Sequence, residues 1–300
     1  MLAIYFWQSA RFALSKVRKR ALRPNQLDML RMLPDIDRVS AIIREVAEAE
    51  ILPRFRCLET SDVREKGPGD LVTVADEASE RLLTERLSAL VPNSAVIGEE
   101  AVAADQRVLG RIFDEAPVWI IDPVDGTSNF AKGRPAFGII VAYARAGETL
   151  AGWIYDPVGN RMATAVKGEG AWLGGARMKT AAPAEPSDMT GVLSPRFFEK
   201  PVRERLEQQR EKVGSAFTLH CAAHEYLRLN SGESHFSVYR RIMPWDHAAG
   251  ALMHAEAGGY HAKLDGGRYA PTEHSGGLLL APDRASWLAL RDLLFLTDRR

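Results

Sequence analysis

The sequence predicts a layered α/β protein, in which amphipathic helices alternate with short apolar strands. Three observations carry this prediction. Apolar residues recur at helical spacing near both ends of the chain, over 36–51 and 287–294. A β-rich stretch punctuated by glycine turns lies between them, over 136–178. Helical and extended patterns also follow one another beyond residue 190, which favours layers over separate all-α and all-β regions.

The first half of the chain begins with two predicted helices. The apolar face of the first consists of Ile36, Val39, Ile43, Val46 and Ile51. Asp35 and Asp37 suit its first turn, and Pro53 marks its end. A loop at 66–69 leads into the segment 70–76, and a second helix follows. Its apolar face consists of Leu82, Leu83, Leu87 and Leu90, and Pro92 stops it.

The middle of the chain reads as consecutive strands. Apolar runs begin at Phe137, Leu150 and Arg161, and turn signals separate them at 146–147 and 157–160. Residues 182–191 form the most linker-like stretch. Beyond it we predict helices around 201–213, 223–229 and after Asp246, a strand at 277–280, and a last helix around Trp287.

Composition bounds the possible partners and compartment. The 300 residues are 46% hydrophobic and 26% charged, as in an ordinary globular protein. The formal net charge is zero, so there is no global electrostatic case for nucleic acid or for acidic membranes as partners. Only Cys57 and Cys221 are present, which excludes a disulfide scaffold and a cysteine-based metal cluster. A reducing, cytoplasmic setting fits this composition.

Residues 1–34 form a basic N-terminal extension. Within residues 1–30, six lysines and arginines stand against the single acid Asp28, and the apolar run from Leu2 to Trp7 is too short to span a bilayer. We expect a disordered extension or a misassigned start, with Met29 or Met32 as the true first residue. Either is favoured over a weak membrane anchor, because no long apolar face is present. No stable membrane association is predicted.

Carboxylates follow two short apolar runs. Glu99 comes directly after 95–98, and Asp122 directly after 118–121. Oxygen ligands suit hard divalent cations such as Mg²⁺, and two such ions close together can move a phosphoryl group to water. Pro123 removes a backbone donor and disfavours helix at Asp122, so we expect a sharp turn there. The turn would let Asp122, Asp125 and the Val124 carbonyl converge, with Glu99 adding a fourth oxygen.

Two further features have a structural and a chemical interpretation. Asp246 lies at the start of a predicted helix, where an acid is commonly only a cap or first-turn residue. Gly126-Thr127-Ser128 precedes a short predicted helix, where free N–H groups and hydroxyls can hold a phosphate. In isolation, that tripeptide would be interpreted as a capped turn.

Four blocks in order resemble the inositol monophosphatase family. They are residues 70–76, 98–100, 119–130 and 244–259, and the similarity extends from about residue 35 to 296. The family belongs to the Mg²⁺-dependent, lithium-sensitive phosphatases, which include fructose-bisphosphatases and 3'-nucleotidases. The resemblance implies a five-layer αβαβα sandwich over 35–300 that forms a homodimer. It would comprise a metal- and phosphate-binding half, 35–181, and a substrate-side half, 182–300.

The resemblance also implies roles for individual residues. Glu99, Asp122 and the Val124 carbonyl would hold one Mg²⁺. Asp122, Asp125 and Asp246 would hold a second Mg²⁺, and Glu100 would support a weaker third ion through water. Asp76 and Thr127 would activate the water, making Asp76, Thr127 and Glu99 the catalytic residues. The predicted substrate contacts are Asp125, Gly126, Thr127, Ser128, Ala222, Tyr239 and Asp246. Lys66 corresponds to a basic residue of the family, although the loop length there differs.

The implied activity is hydrolysis of a small polyol phosphate of the inositol 1-phosphate type. However, Tyr239 stands where inositol-specific members carry an acid, and Arg240-Arg241 add positive charge that would suit a second phosphate or point to solvent. Histidinol phosphate, fructose 1,6-bisphosphate and 3'-phosphoadenosine 5'-phosphate are therefore alternative substrates. A non-catalytic regulatory or binding protein is the alternative of another class. The histidines in this half lack a zinc-ligand pattern and are expected to be exposed or satisfied in the core.

Overall fold

Two β-sheets, of seven and five strands, alternate with three layers of helices in the computed structural model, which describes residues 33–67 and 69–296. This arrangement confirms the predicted αβαβα sandwich. A third sheet within these residues consists of only two strands. Residues 1–32 lie outside the described part, so the prediction of a basic extension remains a prediction. Within the described ranges, no helix is both long and apolar enough to cross a membrane.

The helices and strands of the described residues have the following bounds. The α-helices are α1 (Ile36–Val46), α2 (Val74–Leu90), α3 (Glu99–Ala104), α4 (Thr127–Ala131), α5 (Lys200–Gln209), α6 (Ala222–Asn230), α7 (Pro244–Glu256) and α8 (Arg284–Phe295). The strands are β1 (Val63–Gly67), β2 (Asp70–Thr73), β3 (Ala95–Gly98), β4 (Val118–Asp125), β5 (Gly138–Arg145), β6 (Glu148–Asp156), β7 (Arg161–Val166), β8 (Gly170–Leu173), β9 (Ala176–Arg177), β10 (Thr190–Leu193), β11 (Ser215–Phe217), β12 (Phe236–Tyr239), β13 (Tyr260–Lys263) and β14 (Leu278–Ala281).

The first helical layer covers one face of the larger sheet. Asp35 caps α1 by accepting a hydrogen bond from the Arg38 N–H at 3.0 Å, and a π-helical turn, Ala47–Ile51, continues the helix. The apolar faces predicted for α1 and α2 pack together against the sheet. Both helix predictions are confirmed: Val39, Ile43 and Val46 are buried in α1, and Leu83 and Leu87 are buried in α2.

The larger sheet has seven strands in the order β3-β4-β5-β6-β7-β8-β9, and only β3 and β4 are parallel neighbours. Side chains of β4 alternate between two clusters: Trp119 and Ile121 face α1 and α2, whereas Val118 and Ile120 face the centre of the molecule. All of β4 is consequently buried, which explains its nearly continuous apolar sequence.

The central helices α6 and α7 lie between the two sheets. At Gly152 of β6 the α7 backbone approaches so closely that a Cβ would lie 2.9 Å from the Ala249 Cα. The smaller sheet has the order β11-β10-β12-β14-β13, in which β10 runs parallel to both of its neighbours. Its outer face is covered by α5 and α8 through Leu206, Trp287 and Leu290.

The prediction of a sharp turn at Pro123 is wrong. Strand β4 continues to Asp125, and its register with β5 slips between Asp122 and Asp125, which forms a β-bulge. A bulge accommodates a proline because the ladder is already interrupted there, and the Asp122 carboxylate accepts a hydrogen bond from the Val124 N–H at 3.1 Å. The chain turns instead at Gly126, whose φ of 85° favours glycine.

Candidate active site

Three carboxylates meet where β4 ends. Asp122 and Asp125 come from the bulged strand, and Asp246 comes from the first turn of α7. Each can present an oxygen such that the three oxygens lie within 4.8 Å of one another. The bulge supplies the convergence that the sequence reasoning attributed to a turn, so these predicted ligands are brought together by a different local structure.

Among the described residues, no lysine or arginine lies within ion-pair distance of these three carboxylates, and Arg241 acts on Asp246 only at longer range. Burial, followed by repulsion from Glu99 and Asp125, raises the pKa of Asp122 well above its usual value. Burial and repulsion from Glu99 likewise raise the pKa of Asp246. A set of buried oxygens that repel one another in the metal-free protein suits a hard divalent cation, because the cation removes the repulsion. The donor set therefore fits a metal such as Mg²⁺.

Asp125 is also held by neutral donors. Its Oδ2 accepts hydrogen bonds from the Ala223 N–H at 2.6 Å and from the Cys221 thiol at 3.0 Å. Burial raises the pKa of Asp125, and these donors lower it. Both donors belong to the start of α6, so they fix the Asp125 side chain against the central helical layer.

Glu99 lies beside the three aspartates but is paired with a lysine. It is the first residue of α3, and the parallel pairing of Gly98 with Ile121 places it next to Asp122. The Lys66 ammonium lies 2.9 Å from Glu99 Oε1 and 2.9 Å from Glu100 Oε1. Burial raises the pKa of both glutamates and Lys66 opposes this, leaving that of Glu100 at about 7. Lys66 therefore belongs to the site despite the unusual loop length.

Glu80 is a site residue that sequence reasoning missed. Its carboxylate accepts hydrogen bonds from the Glu100 and Ala101 N–H groups, both at 2.8 Å, and so fixes the start of α3. Burial raises its pKa to about 7, which these donors oppose. The available signal was its spacing of four residues from Asp76 on α2, which places both acids on one helix face.

Asp76 and Thr127 form the predicted pair. The Thr127 hydroxyl lies 3.0 Å from Asp76 Oδ1 and 3.0 Å from the Val124 carbonyl oxygen, and it can donate to either. Asp76 Oδ2 accepts hydrogen bonds from the Thr73 N–H at 2.9 Å and the Thr73 hydroxyl at 2.5 Å, completing the capping box of α2. Burial raises the pKa of Asp76 to about 6, so the carboxylate is ionised above that pH.

The segment from Gly126 to Ser128 opens the short helix α4. A Cβ at Gly126 would lie 2.9 Å from the Ala136 carbonyl oxygen, so glycine is required by space as well as by φ. The Ser128 hydroxyl accepts a hydrogen bond from Lys132 at 3.0 Å. Asn129, also missed from sequence, donates from its side-chain amide to Ala136 O and Leu219 O, both at 2.8 Å. That amide ties this segment to the loop before α6.

A cavity of about 250 Å³ opens over these groups. It is lined by the predicted metal ligands, by Thr127 and Ser128, and on its other side by Ala222 and Tyr239. Tyr239 is only 8% exposed, and burial, followed by the charge of Glu225, raises the pKa of its hydroxyl. The structure therefore places all the predicted substrate contacts around one cavity, with Tyr239 largely covered. Arg196 also lines the cavity and was not identified from sequence.

Three of the histidines in the second half are satisfied by hydrogen bonds, as predicted. His247 accepts from the Tyr226 hydroxyl at 2.9 Å and donates to the Arg241 carbonyl at 3.0 Å, and burial lowers its pKa to about 4. His254 lies in the core between Asn230 and Ala281, and His224 contacts the Phe137 carbonyl at 3.0 Å. None of these histidines belongs to a potential metal-binding group among the described residues.

A five-layer sandwich with carboxylates that converge at a strand end is an arrangement that could hold a divalent cation. Residues 35–292 match the model of the inositol monophosphatase family, and the chain belongs to that family. The family supports phosphatase activity in general, uses divalent metals and takes small phosphorylated molecules as substrates.

Known relatives have two kinds of name. The chain is 32% identical over 217 residues to an inositol-1-monophosphatase of Rhizobium meliloti, covering 71% of this chain and 79% of the relative. It is 33% identical over 232 residues to the Nus factor SuhB of Pasteurella multocida, covering 73% and 80%.

Solved structures share the fold. The Thermotoga maritima IMPase is 27% identical with a TM-score of 0.70, covering 87% of this chain and 96% of that one. A Ca-bound IMPase family protein of Staphylococcus aureus has a TM-score of 0.74 at 20% identity, covering 88% and 95%.

Proposed function

We propose that the protein is a Mg²⁺-dependent phosphomonoesterase that hydrolyses a small polyol phosphate of the inositol 1-phosphate type. One observation carries the proposal: Asp122, Asp125 and Asp246 converge in a cavity that Thr127 also lines. The Thr127 hydroxyl lies 3.0 Å from Oδ1 of the buried Asp76. The three aspartates provide a place for a cation, and the pair provides a place for a water molecule. Both are needed for phosphoryl transfer to water.

The cations would be held by the buried oxygens. We assign Glu99, Asp122 and the Val124 carbonyl to one Mg²⁺, and Asp122, Asp125 and Asp246 to a second. When bound, such ions lower the pKa of water and offset phosphate charge. Glu100 would support a weaker third ion, but it and Glu99 are paired with Lys66 in the metal-free protein.

Asp76 and Thr127 would orient the attacking water. Ionised Asp76 can only accept hydrogen bonds, and Oδ2 is already occupied by Thr73. The Thr127 hydroxyl can therefore donate to Oδ1, which leaves its lone pairs to accept a hydrogen bond from water. Gly126, Thr127 and Ser128 would position the phosphate with N–H groups and hydroxyls. The contribution of the chain is thus orientation and electrostatic stabilisation.

A panel of four phosphorylated compounds tests the proposed substrate. Inositol 1-phosphate should be compared with histidinol phosphate, fructose 1,6-bisphosphate and 3'-phosphoadenosine 5'-phosphate, with Mg²⁺ present and phosphate release as the measurement. If the inositol phosphate is the poorest substrate, the phosphatase reaction stands and the polyol monophosphate assignment is wrong.

An Asp125→Asn variant tests the reaction itself. The amide oxygen can still accept from Ala223 and Cys221, so the fold should be retained, whereas one negative charge of the cation site is lost. We expect phosphate release to fall about 10³-fold, corresponding to about 4 kcal/mol of transition-state stabilisation. Asp156→Asn is the matched control, because Asp156 is also buried but accepts from Gly159 and Arg161 outside the cavity. Unchanged hydrolysis in Asp125→Asn would contradict the two-cation site.

A non-catalytic regulatory role is the second candidate, since several relatives are named Nus factor SuhB. The retained acids and the Asp76–Thr127 pair favour catalysis. A folded, Mg²⁺-binding protein that releases no phosphate from any compound of the panel would favour the regulatory role instead.

Four accompanying properties complete the proposal. We infer inhibition by lithium, a homodimer and a cytoplasmic location from family membership and composition, and we propose no nucleic-acid partner because the net charge is zero. Lithium titration of phosphate release and light scattering of the purified protein would test the first two. A salt-sensitive shift of labelled RNA by the protein would contradict the last.

A further inference from the structure

Three arginines line the cavity on the side away from β4. Arg196 lies in the turn after β10, and Arg240 and Arg241 follow β12 directly. Arg196 and Arg241 are exposed and Arg240 is partly exposed, so none of the three is sealed inside the protein. The same cavity contains the carboxylates proposed to hold the cations.

The topology of the smaller sheet places these arginines together. Strands β10 and β12 are parallel neighbours, and Leu193 pairs with Val238. Their carboxyl ends therefore lie at the same edge, with Arg196 three residues beyond Leu193 and Arg240 two residues beyond Val238. Ligands bind beyond the carboxyl ends of parallel strands because the chains turn away there and leave a crevice.

The guanidinium groups of these three arginines form no ion pairs with the described acidic residues. Among the described residues, no carboxylate lies within ion-pair distance of Arg196, Arg240 or Arg241. Arg196 stacks over the Phe197 ring at 5.1 Å, and its Nη2 lies against Gly69, where a Cβ would be 2.5 Å away. These neighbours contribute no negative charge to the guanidinium group. Arg241 acts on Asp246 only at longer range, by lowering its pKa.

The acidic residues that line the cavity do not neutralise the positive charge of these arginines. The Glu225 carboxylate accepts hydrogen bonds from the Leu219 N–H and the Thr218 hydroxyl, and its pKa is raised to about 7 by burial. The remaining acids are the proposed cation ligands and Asp70. When cations are bound, their charge neutralises the carboxylates that hold them, and the three arginines give the edge of the cavity a positive charge. Tyr239 is covered and carries no charge with which to bind sugar hydroxyls as a carboxylate would.

We propose that Arg196, Arg240 and Arg241 form a second anion subsite, which binds a second phosphate group of the molecule whose first phosphate is hydrolysed. The proposal rests on the proposed phosphatase function and narrows its small polyol phosphates to those that carry a second phosphate group. A phosphate is favoured over a carboxylate because several guanidinium groups can share its three oxygens and its double charge.

The test compares substrates that differ in one group. With the full chain and Mg²⁺, kcat/KM is measured for fructose 1-phosphate, for fructose 1,6-bisphosphate and for 6-phosphogluconate, whose second charge is a carboxylate. We expect the bisphosphate to be preferred over the monophosphate about 10- to 100-fold, as for one or two charged hydrogen bonds. An Arg196→Gln/Arg240→Gln double variant should reduce that ratio to near one. Arg203→Gln on α5, an exposed arginine outside the cavity, should leave it unchanged.

The outcomes separate the subsite from the reaction. Equal kcat/KM for the monophosphate and the bisphosphate would overturn the subsite while leaving the phosphatase function intact. Equal preference for 6-phosphogluconate would overturn the assignment to phosphate. If neither these three compounds nor inositol 1-phosphate releases phosphate, the proposed phosphatase function is wrong, and calorimetry then tests the subsite by itself. The subsite is supported if the Kd of the bisphosphate is at least tenfold below that of the monophosphate and if the double variant abolishes this difference. Equal Kd values for the two compounds would overturn the subsite.

Discussion

Replacing Lys66 by methionine should destabilise the metal-free protein much more than the metal-loaded protein. The Lys66 ammonium is the compensating cation for Glu99 and Glu100, at 2.9 Å from each. The side chains of all three residues are less than one-fifth exposed. Methionine keeps the length of the side chain but removes the charge, so two glutamates would be left close together without a counter-charge.

The size of the effect depends on pH. Removing one partner of a buried ion pair is destabilising by about 3–5 kcal/mol, and we expect about 2–3 kcal/mol here because the glutamates can take up protons. Burial already raises the pKa of Glu100 to about 7 with Lys66 present, and losing the lysine raises it further. An acid whose pKa rises on folding destabilises the fold as pH increases through that range. The loss should therefore be larger at pH 8 than at pH 6.

Thermal unfolding in EDTA and in saturating Mg²⁺ measures this prediction. At pH 8 in EDTA, Tm should fall by about 4–9 °C, from about 2–3 °C per kcal/mol for a chain of this size. In Mg²⁺ the difference should narrow, since the cation supplies the missing charge.

Lys263→Met is the control for the Lys66 variant. Lys263 also pairs with two acids, Glu273 and Asp265, but their side chains are exposed and the pairs lie outside the cavity. No Mg²⁺-dependent change in stability is expected for it. An unchanged Tm of Lys66→Met in EDTA at pH 8, or an equal loss with and without Mg²⁺, would refute the reasoning.

Two further predictions concern single side chains of the site. Thr127→Val should lower kcat about 10²- to 10³-fold with little loss of stability, whereas Thr127→Ser should retain most of the wild-type kcat. If steady-state kinetics give equal kcat values for the two variants, the Thr127 hydroxyl does not orient the attacking water. His247→Gln should flatten the pH dependence of stability between pH 6.5 and 4. The pKa of His247 is lowered to about 4 by burial, so its contribution of about 3 kcal/mol is complete above pH 6.5 and is lost as pH falls. Glutamine can accept from Tyr226 and donate to the Arg241 carbonyl, and denaturant unfolding at several pH values would show an unchanged slope if this account is wrong.

Periodicity and motif order were sufficient for the fold and for four acids that line the cavity, Glu99, Asp122, Asp125 and Asp246. The helical spacing around Ile43 corresponds to α1, and the apolar run ending at Asp122 corresponds to the buried strand β4. The reason is physical: a strand buried on both faces and a helix buried on one must show these patterns. Asp246 could be connected with Asp122 only through the family resemblance, because no local pattern joins residues so far apart in the chain.

The residues that were missed act through backbone groups or through distant contacts. Glu80 binds the N–H groups that begin α3, and Asn129 binds carbonyls on two loops, so neither belongs to a recognisable motif. The bulge at Pro123 was mistaken for a turn, because local preferences describe the proline but not the neighbouring strand β5 that receives it. Arg196 was missed for a similar reason, since only the parallel pairing of β10 with β12 brings it near Arg240.

The close packing of α7 on β6 has a consequence for how the protein is made. Asp122 and Asp125 belong to the larger sheet, whereas Asp246 arrives on a helix that must dock against Gly152. A chain still being synthesised, or one cut before residue 244, holds only two of the three aspartates. Tight cation binding therefore has to wait for α7, and the protein acquires its chemistry only when its central layer is in place.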